Sequence, residues 1–253
     1  MFKNAIVRVP CSRIKEGLST SGLGKPDYYK AIKQHSEYID SLRYLGLAVK
    51  VLVQDELYPD STFVEDVALC TPSCAIITNP GAISRRGETN SIKPVLEEYY
   101  NVIEEISLPG TLEAGDVMKV DNHFFIGISE RTNCEGADQL IRILEKHSMT
   151  GTKIRLERML HLKTGVSYLE NNNILVFGEF IDKKEFKSFN RIIIDENESY
   201  AANSLWINGI VIVPDGYPKT REKIEKAGYK TIALDLSEFR KVDGGLSCLS
   251  LRF

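Results

Sequence analysis

The sequence predicts an α/β fold built from five strand-strand-helix-strand modules, carried in one domain over residues 1–253. Three observations lead there. Three β-hairpins can be read directly, over residues 115–127, 165–178 and 204–214, and each has Asn at its turn, where a positive φ is tolerated. Each hairpin is followed by a helical segment and a further short strand, and the closing strands recur at roughly 40 to 50 residues, a period typical of radially or linearly repeated architectures. Finally, 43% hydrophobic and 26% charged residues describe an ordinary globular chain. No run of about 18 apolar residues is present, so no transmembrane helix is expected.

Taken in order, residues 5–10 alternate apolar and polar as a first strand. The start reads as that strand and not as a signal peptide, because its apolar run is short and Arg8 interrupts it. Residues 11–27 hold Gly17, Gly22, Gly24, three serines and a proline without periodicity: a surface loop, or a mobile lid over a site. Tyr29, Ile32, Ile39, Leu42 and Leu45 mark a helix over 28–46, with a strand at 47–53 behind it. The same grammar gives a strand at 75–78, a helix near 90–100 and a strand at 102–107. After the first hairpin come a helix at 133–148 and a strand at 153–156. The second leads to a short helix at 183–189 and a strand at 191–194. The third, with Asn208-Gly209 as the strongest short turn signal, leads to a helix at 218–228 and a strand at 231–234. In a closed ring of such modules, loops from every copy would converge on one axis and bring residues distant in sequence together.

A formal net charge of −3 leaves no electrostatic footprint for nucleic acid or an anionic membrane. Five cysteines, an odd number without framework spacing, point to free thiols and a reducing cytoplasm. Cys70 and Cys74 lack a second ligand pair at zinc-finger spacing, so no metal site is expected there.

The C-terminal stretch Asp243-Gly244-Gly245-Leu246-Ser247-Cys248 is glycine-bearing and apolar where chain ends are usually frayed and polar. Two readings compete for Cys248: a nucleophile on a short rigid lever, or a small buried hydrophobe. A nucleophilic thiol needs a histidine, oriented in turn by a carboxylate. His35 and His147 read as solvated helix positions and His123 as an exposed hairpin residue. His161 stands among apolar residues just ahead of a hairpin, as either a structural ring or an acid–base group. Glu113, Glu65 and Asp66 interrupt apolar stretches, which suits function or loop capping equally. Asp116 reads as a turn residue. Arg85, Arg86 and Arg131 lie in loops after strands, where an arginine is either solvated or a clamp on a carboxylate.

The ordered set Thr62-Phe63-Val64-Glu65-Asp66-Val67-Ala68, Leu112-Glu113-Ala114-Gly115-Asp116-Val117, Phe124-Phe125-Ile126-Gly127-Ile128-Ser129-Glu130-Arg131-Thr132-Asn133, Leu160-His161-Leu162-Lys163-Thr164, Pro218-Lys219-Thr220-Arg221 and Asp243-Gly244-Gly245-Leu246-Ser247-Cys248-Leu249-Ser250 resembles the dimethylarginine dimethylaminohydrolase family over essentially the whole chain. The resemblance implies the pentein fold, a five-fold pseudosymmetric α/β propeller. It also implies cofactor-free hydrolysis of a methylated arginine to citrulline and an alkylamine, through a covalent thiouronium on Cys248. By the same resemblance His161 handles protons and Glu113 orients it; Glu65 and Asp66 hold the guanidinium. Arg85 and Arg131 clamp the α-carboxylate, Asp60 takes the α-amino group, and Leu18 and Val242 line the lid and pocket. One departure is Ala114, where the family commonly has glycine; its methyl bears on the placement of Glu113.

Other functions on the same fold are arginine deimination, which usually comes with a longer chain, and citrulline hydrolysis, whose neutral ureido group suits two carboxylates poorly. A non-catalytic pentein binder is the alternative of another class, and Cys248, His161 and Glu113 together argue against it. The expected partner is a small molecule, with no nucleic acid and no membrane. The choice between monomer and homodimer stays open.

Overall fold

Why the chain breaks into so many short strands is plain from its turns: Asp121, Asn171, Asn172 and Asn208 all adopt positive φ, between 49° and 62°, and each reverses a hairpin. The computed structural model describes residues 1–253 and contains fifteen strands. In chain order these are β1 (Asn4–Arg8), β2 (Ala48–Leu52), β3 (Ala68–Cys70), β4 (Ala75–Ile77), β5 (Ile103–Glu105), β6 (Val117–Val120), β7 (His123–Ile128) and β8 (Thr150–Arg155). They continue with β9 (Val166–Tyr168), β10 (Asn173–Val176), β11 (Asn190–Ile193), β12 (Leu205–Ile207), β13 (Ile210–Pro214), β14 (Lys230–Leu234) and β15 (Leu251–Arg252). The α-helices are α1 (Tyr28–Tyr44), α2 (Thr89–Leu96), α3 (Cys134–Lys146), α4 (Leu162–Gly165), α5 (Pro218–Lys226) and α6 (Ser237–Arg240).

These strands form five three-stranded sheets of one design. In each, the middle strand is antiparallel to one neighbour and parallel to the other. The antiparallel neighbour needs only a tight turn, whereas the parallel one needs a crossover. Helices α1, α2, α3 and α5 supply that crossover in four modules. Between β10 and β11 only single 3₁₀ turns stand, Gly178–Phe180 and Lys184–Phe186, where the sequence predicts a short helix. The sheet of β1 and β2 takes its antiparallel member, β15, from the far end of the chain.

The chain divides into two compact units, Met1–Val64 with Ile194–Phe253, and Glu65–Ile193. The first carries two sheets and a core of Ala5, Val7, Tyr38, Leu42, Ile212, Phe239 and Leu249. The second carries three sheets and two aliphatic–aromatic cores, one under α3 with Phe124, Leu140 and Leu144, the other around Phe180 and Phe186. Helix α1 is capped by Asp27, whose side chain accepts the Lys30 N–H. His35 on α1 is not solvated as the sequence suggests. Its ring is buried 6.3 Å from that of Phe239, its Nε2 has no hydrogen-bond partner, and burial pushes its pKa down to about 4. No helix is long and apolar enough to cross a membrane.

Candidate active site

In the unit of Glu65–Ile193, turns at the ends of strands present an ionised cluster. Glu113 precedes the 3₁₀ turn Ala114–Asp116 that opens β6, and His161 is the residue before α4. Glu113 Oε2 lies 2.9 Å from His161 Nε2, while Oε1 accepts the Ala82 N–H at 2.9 Å and stands 3.6 Å from Arg131. Nearest atoms of Asp66, Glu113 and His161 all fall within 4.8 Å of one another. Gly115 makes that crowding feasible: a Cβ there would sit 2.7 Å from Asp66 Oδ1 and 3.0 Å from His161 Cγ, and its own N–H donates to Asp66 at 3.0 Å. Ala114, by contrast, is buried beside the Glu113–His161 contact.

Burial disfavours charge on His161, but Asp116, Asp66 and Glu113 outweigh it and raise the imidazole to about 9. Glu113 moves the other way. Burial would raise it, yet the hydrogen bond and charge of His161, the charge of Arg85 and the Ala82 N–H hold it well below the usual carboxylate range. At neutral pH the pair is therefore imidazolium against carboxylate.

Around the pair, Glu65 is bound by Lys163 at 2.6 Å, with both side chains largely buried. Arg85, which the sequence leaves as either solvated or a clamp on a carboxylate, is buried: Nη1 donates to Asp66 Oδ2 at 2.5 Å, and Nε and Nη2 grip both oxygens of Glu88 at 3.0 and 2.8 Å. The sequence therefore brings Glu65, Asp66, Arg85, Glu113, Arg131 and His161 into one unit. Asp116, Glu88 and Lys163 were not read from sequence as part of it. Only the i,i+3 charge spacing of Arg85 and Glu88 offered a signal.

The other unit holds Cys248 in a single 3₁₀ turn, Ser247–Leu249, half-buried against the core. Its loop is pinned at nearly every step. Tyr200 donates to the Gly244 carbonyl at 2.7 Å, and Tyr38 reaches the Leu246 carbonyl at 3.0 Å and Ser250 Oγ at 2.6 Å. Asn203 accepts the Ser247 N–H and donates to Ser247 Oγ, each at 3.0 Å. Both glycines are needed for close approach: a Cβ on Gly245 would lie 2.6 Å from Asn203 Oδ1, and one on Gly244 would overlap the Phe63 ring. Arg240 stacks over the Tyr200 ring, 5.2 Å from its centroid. Asn203 and Tyr200 carried no local signal in the sequence.

The N-terminal loop belongs to this same environment. Asp60 is buried and accepts the Leu18 N–H at 3.0 Å. Ser19 and Ser21 hydroxyls donate to the Lys241 carbonyl at 2.7 and 2.8 Å, and Asp243 accepts the Thr20 N–H and hydroxyl. Leu18, Asp60 and the stretch around Val242 are thus brought together. The loop that reads as mobile from composition has side-chain anchors on both sides of Val242.

Five three-stranded modules carry a buried acid–imidazole pair in one unit and a half-buried thiol on a glycine-bearing turn in the other, and the relatives of the chain make it a hydrolase acting on C–N bonds. The chain belongs to the dimethylarginine dimethylaminohydrolase family: the model for eukaryotic N,N dimethylarginine dimethylhydrolase matches residues 25–250. N(G),N(G)-dimethylarginine dimethylaminohydrolase of Pseudomonas aeruginosa is 56% identical over the full length of both chains, and that of Streptomyces coelicolor 31% over 99% of this chain and 96% of its own. A cysteine-to-serine variant of the Pseudomonas enzyme complexed with citrulline superposes with a TM-score of 0.99, covering both chains completely. The N-terminal domain of ArgZ, at 20% identity and a TM-score of 0.89 over the whole of this chain and 97% of its own, shares the fold.

Proposed function

We propose that this chain hydrolyses N-methylated arginine, asymmetric dimethylarginine or monomethylarginine, to citrulline and an alkylamine. The observation that carries the reading is the buried Glu113–His161 pair inside a ring of carboxylates, on a chain 56% identical end to end to a dimethylarginine dimethylaminohydrolase. In this reading the Cys248 thiolate attacks the guanidinium carbon. The C–N bond to the methylated nitrogen breaks as His161 gives that nitrogen its proton, leaving a thiouronium on Cys248. Neutral His161 then takes a proton from water, the oxygen adds to the same carbon, and as that oxygen gives up its remaining proton to solvent the C–S bond breaks to release citrulline and the thiolate. One water is consumed and one amine leaves. A proton on His161 in the resting state fits the first half of that cycle.

Glu65 and Asp66 are the acceptors for the guanidinium fork, whose fixed positive charge and N–H donors two carboxylates match. Arg131 and Arg85 are read as the clamp on the α-carboxylate, with Arg85 exchanging one of its present partners, Asp66 or Glu88, for substrate; Asp60 takes the α-amino group, and Leu18 and Val242 close over the chain of methylenes. We further read the five modules as one cooperative domain over residues 1–253 with five-fold pseudosymmetry, acting in the cytoplasm. A single unfolding transition by two probes supports the one-domain reading, and two transitions refute it.

The test is to incubate the protein with asymmetric dimethylarginine, monomethylarginine, arginine and citrulline, assaying citrulline and amine, with Cys248→Ser beside it. Methylated substrates turned over well ahead of arginine support the proposal. Preference for arginine, or full activity of Cys248→Ser, refutes it.

A further inference from the structure

Asp116 ends the turn that begins at Glu113, and it is completely buried. A turn residue needs neither burial nor partners, whereas a buried carboxylate persists only when its oxygens are satisfied. Here they are. Oδ1 accepts the backbone N–H of Leu162, the residue after His161, at 2.9 Å. Oδ2 accepts the hydroxyls of Ser129 and Thr132, both at 2.7 Å. Each hydroxyl passes the link on. Thr132 Oγ1 accepts the N–H of Glu113 at 3.1 Å, and Ser129 Oγ accepts the N–H groups of Arg131 and Thr132 at 3.0 and 3.2 Å. Gly127 on β7 makes room for the hub, since a Cβ there would stand 2.9 Å from Asp116 Oδ1 and 3.1 Å from Leu162 Cβ.

One carboxylate therefore sits a single hydrogen bond from the neighbour of His161 and two from Glu113 and Arg131. We propose that Asp116 is the positioning residue of the acid–base pair, holding Glu113 and His161 in register through Thr132, Ser129 and the Leu162 N–H. It acts through charge as well as geometry, burial pushing its own carboxyl up while His161, the Ser129 and Thr132 hydroxyls and the Leu162 N–H favour the ionised form. Burial lowers the basicity of His161, and among the groups that raise it Asp116 comes first, ahead of Asp66 and Glu113. The remaining charges nearby are engaged elsewhere: Lys163 with Glu65, Arg85 with Asp66 and Glu88, and Arg131 beside Glu113.

The kinetic arm of the test rests on the hydrolase reading above; the spectroscopic arm does not. Asp116→Asn keeps the shape and removes the charge, while Thr132→Val cuts one link and leaves the charge. The His161 ring is titrated by NMR in ring-labelled resting protein, and kcat and KM are measured with asymmetric dimethylarginine. For Asp116→Asn the His161 midpoint is expected to fall by about a pH unit or more, a tenfold loss of proton affinity. Its kcat is expected to fall about 100-fold with KM within about threefold. Thr132→Val is expected to lower kcat about tenfold with the midpoint within a few tenths. An unchanged midpoint or an unchanged kcat in folded Asp116→Asn overturns the proposal. Should that variant not fold, unchanged kcat in Thr132→Val overturns it. If wild type turns over no methylated arginine, the hydrolase reading falls, and the midpoint in Asp116→Asn alone decides for or against Asp116.

Discussion

The two units hold their functional side chains by different physics. Around Cys248 the restraints are neutral: tyrosine and asparagine side chains bound to backbone or to Ser247, and glycines pressed against Phe63 and Asn203. Around His161 they are ionic: Glu113, Asp66, Asp116, Arg85, Glu88 and the Glu65–Lys163 pair, nearly all buried. Neutral hydrogen bonds and packing do not titrate near neutrality, so the direct restraints on the Ser247–Leu249 turn do not depend on pH. Buried charges do titrate and lean on one another, so removing one partner leaves another desolvated and uncompensated. The comparison teaches that the pH sensitivity of the acid–base pair should originate in the Glu65–Ile193 unit.

The largest expected effect is at the thiol itself. Cys248→Ser should lower kcat on the order of 10⁴-fold or more while the circular dichroism spectrum and the His161 titration stay as in wild type. Residual activity above a hundredth of wild type would remove the nucleophile from this loop. Next comes Glu113→Gln. It should reduce kcat roughly 10³-fold and move the alkaline limb of kcat/KM to lower pH, because the ring loses its paired charge. In wild type the limb follows from the sign of the shift: His161 is raised from 6.5 to about 9, so the proton it donates is present below about 9 and lost above. The same group's contribution to stability is complete below pH 6.5 and fades as pH rises through about 9, which urea titrations at pH 6 and 9.5 would detect. A limb that stays put in Glu113→Gln would break the contrast between the units.

Smaller effects separate crowding from charge. Gly115→Ala forces Asp66 or the His161 ring to shift and should lower kcat about 100-fold, whereas Ala114→Gly should change it less than threefold. Similar losses in both would mean that the turn is not the crowded point. In the other unit, Gly245→Ala meets Asn203 and should destabilise by about 1–3 kcal/mol without moving any pH midpoint, measured by thermal unfolding and by the pH–rate profile. Asp243→Ala, which frees Thr20, should be mildest: KM raised about two- to fivefold with kcat retained. An unchanged KM would show that these anchors do not bear on substrate.

Much of this was legible beforehand, for identifiable reasons. Hairpins announce themselves in a few residues, so those turning at Asp121, Asn171 and Asn208 fall where the sequence places them. The helix at 28–46 is α1, its apolar face evident at the 3.6-residue period. The expected helix between the second hairpin and its closing strand collapsed into 3₁₀ turns, because so short a segment gains too little from its own hydrogen bonds. His35 looked solvated among charged neighbours, and only the packing of α6 residue Phe239 onto it shows otherwise.

By itself, then, the sequence determined what is local: strand period, turn chemistry and module count. Tertiary structure decided partnership. That Asp116 is a buried hub as well as a turn residue, that Arg85 is locked between Asp66 and Glu88, and that Asn203 clamps Ser247 are facts about groups far apart along the chain or facing inward by degrees no pattern encodes. The physical reason is range. Backbone preference acts over a turn, whereas the worth of a charge or a hydrogen bond depends on burial and on what stands opposite, and both exist only once the chain has folded.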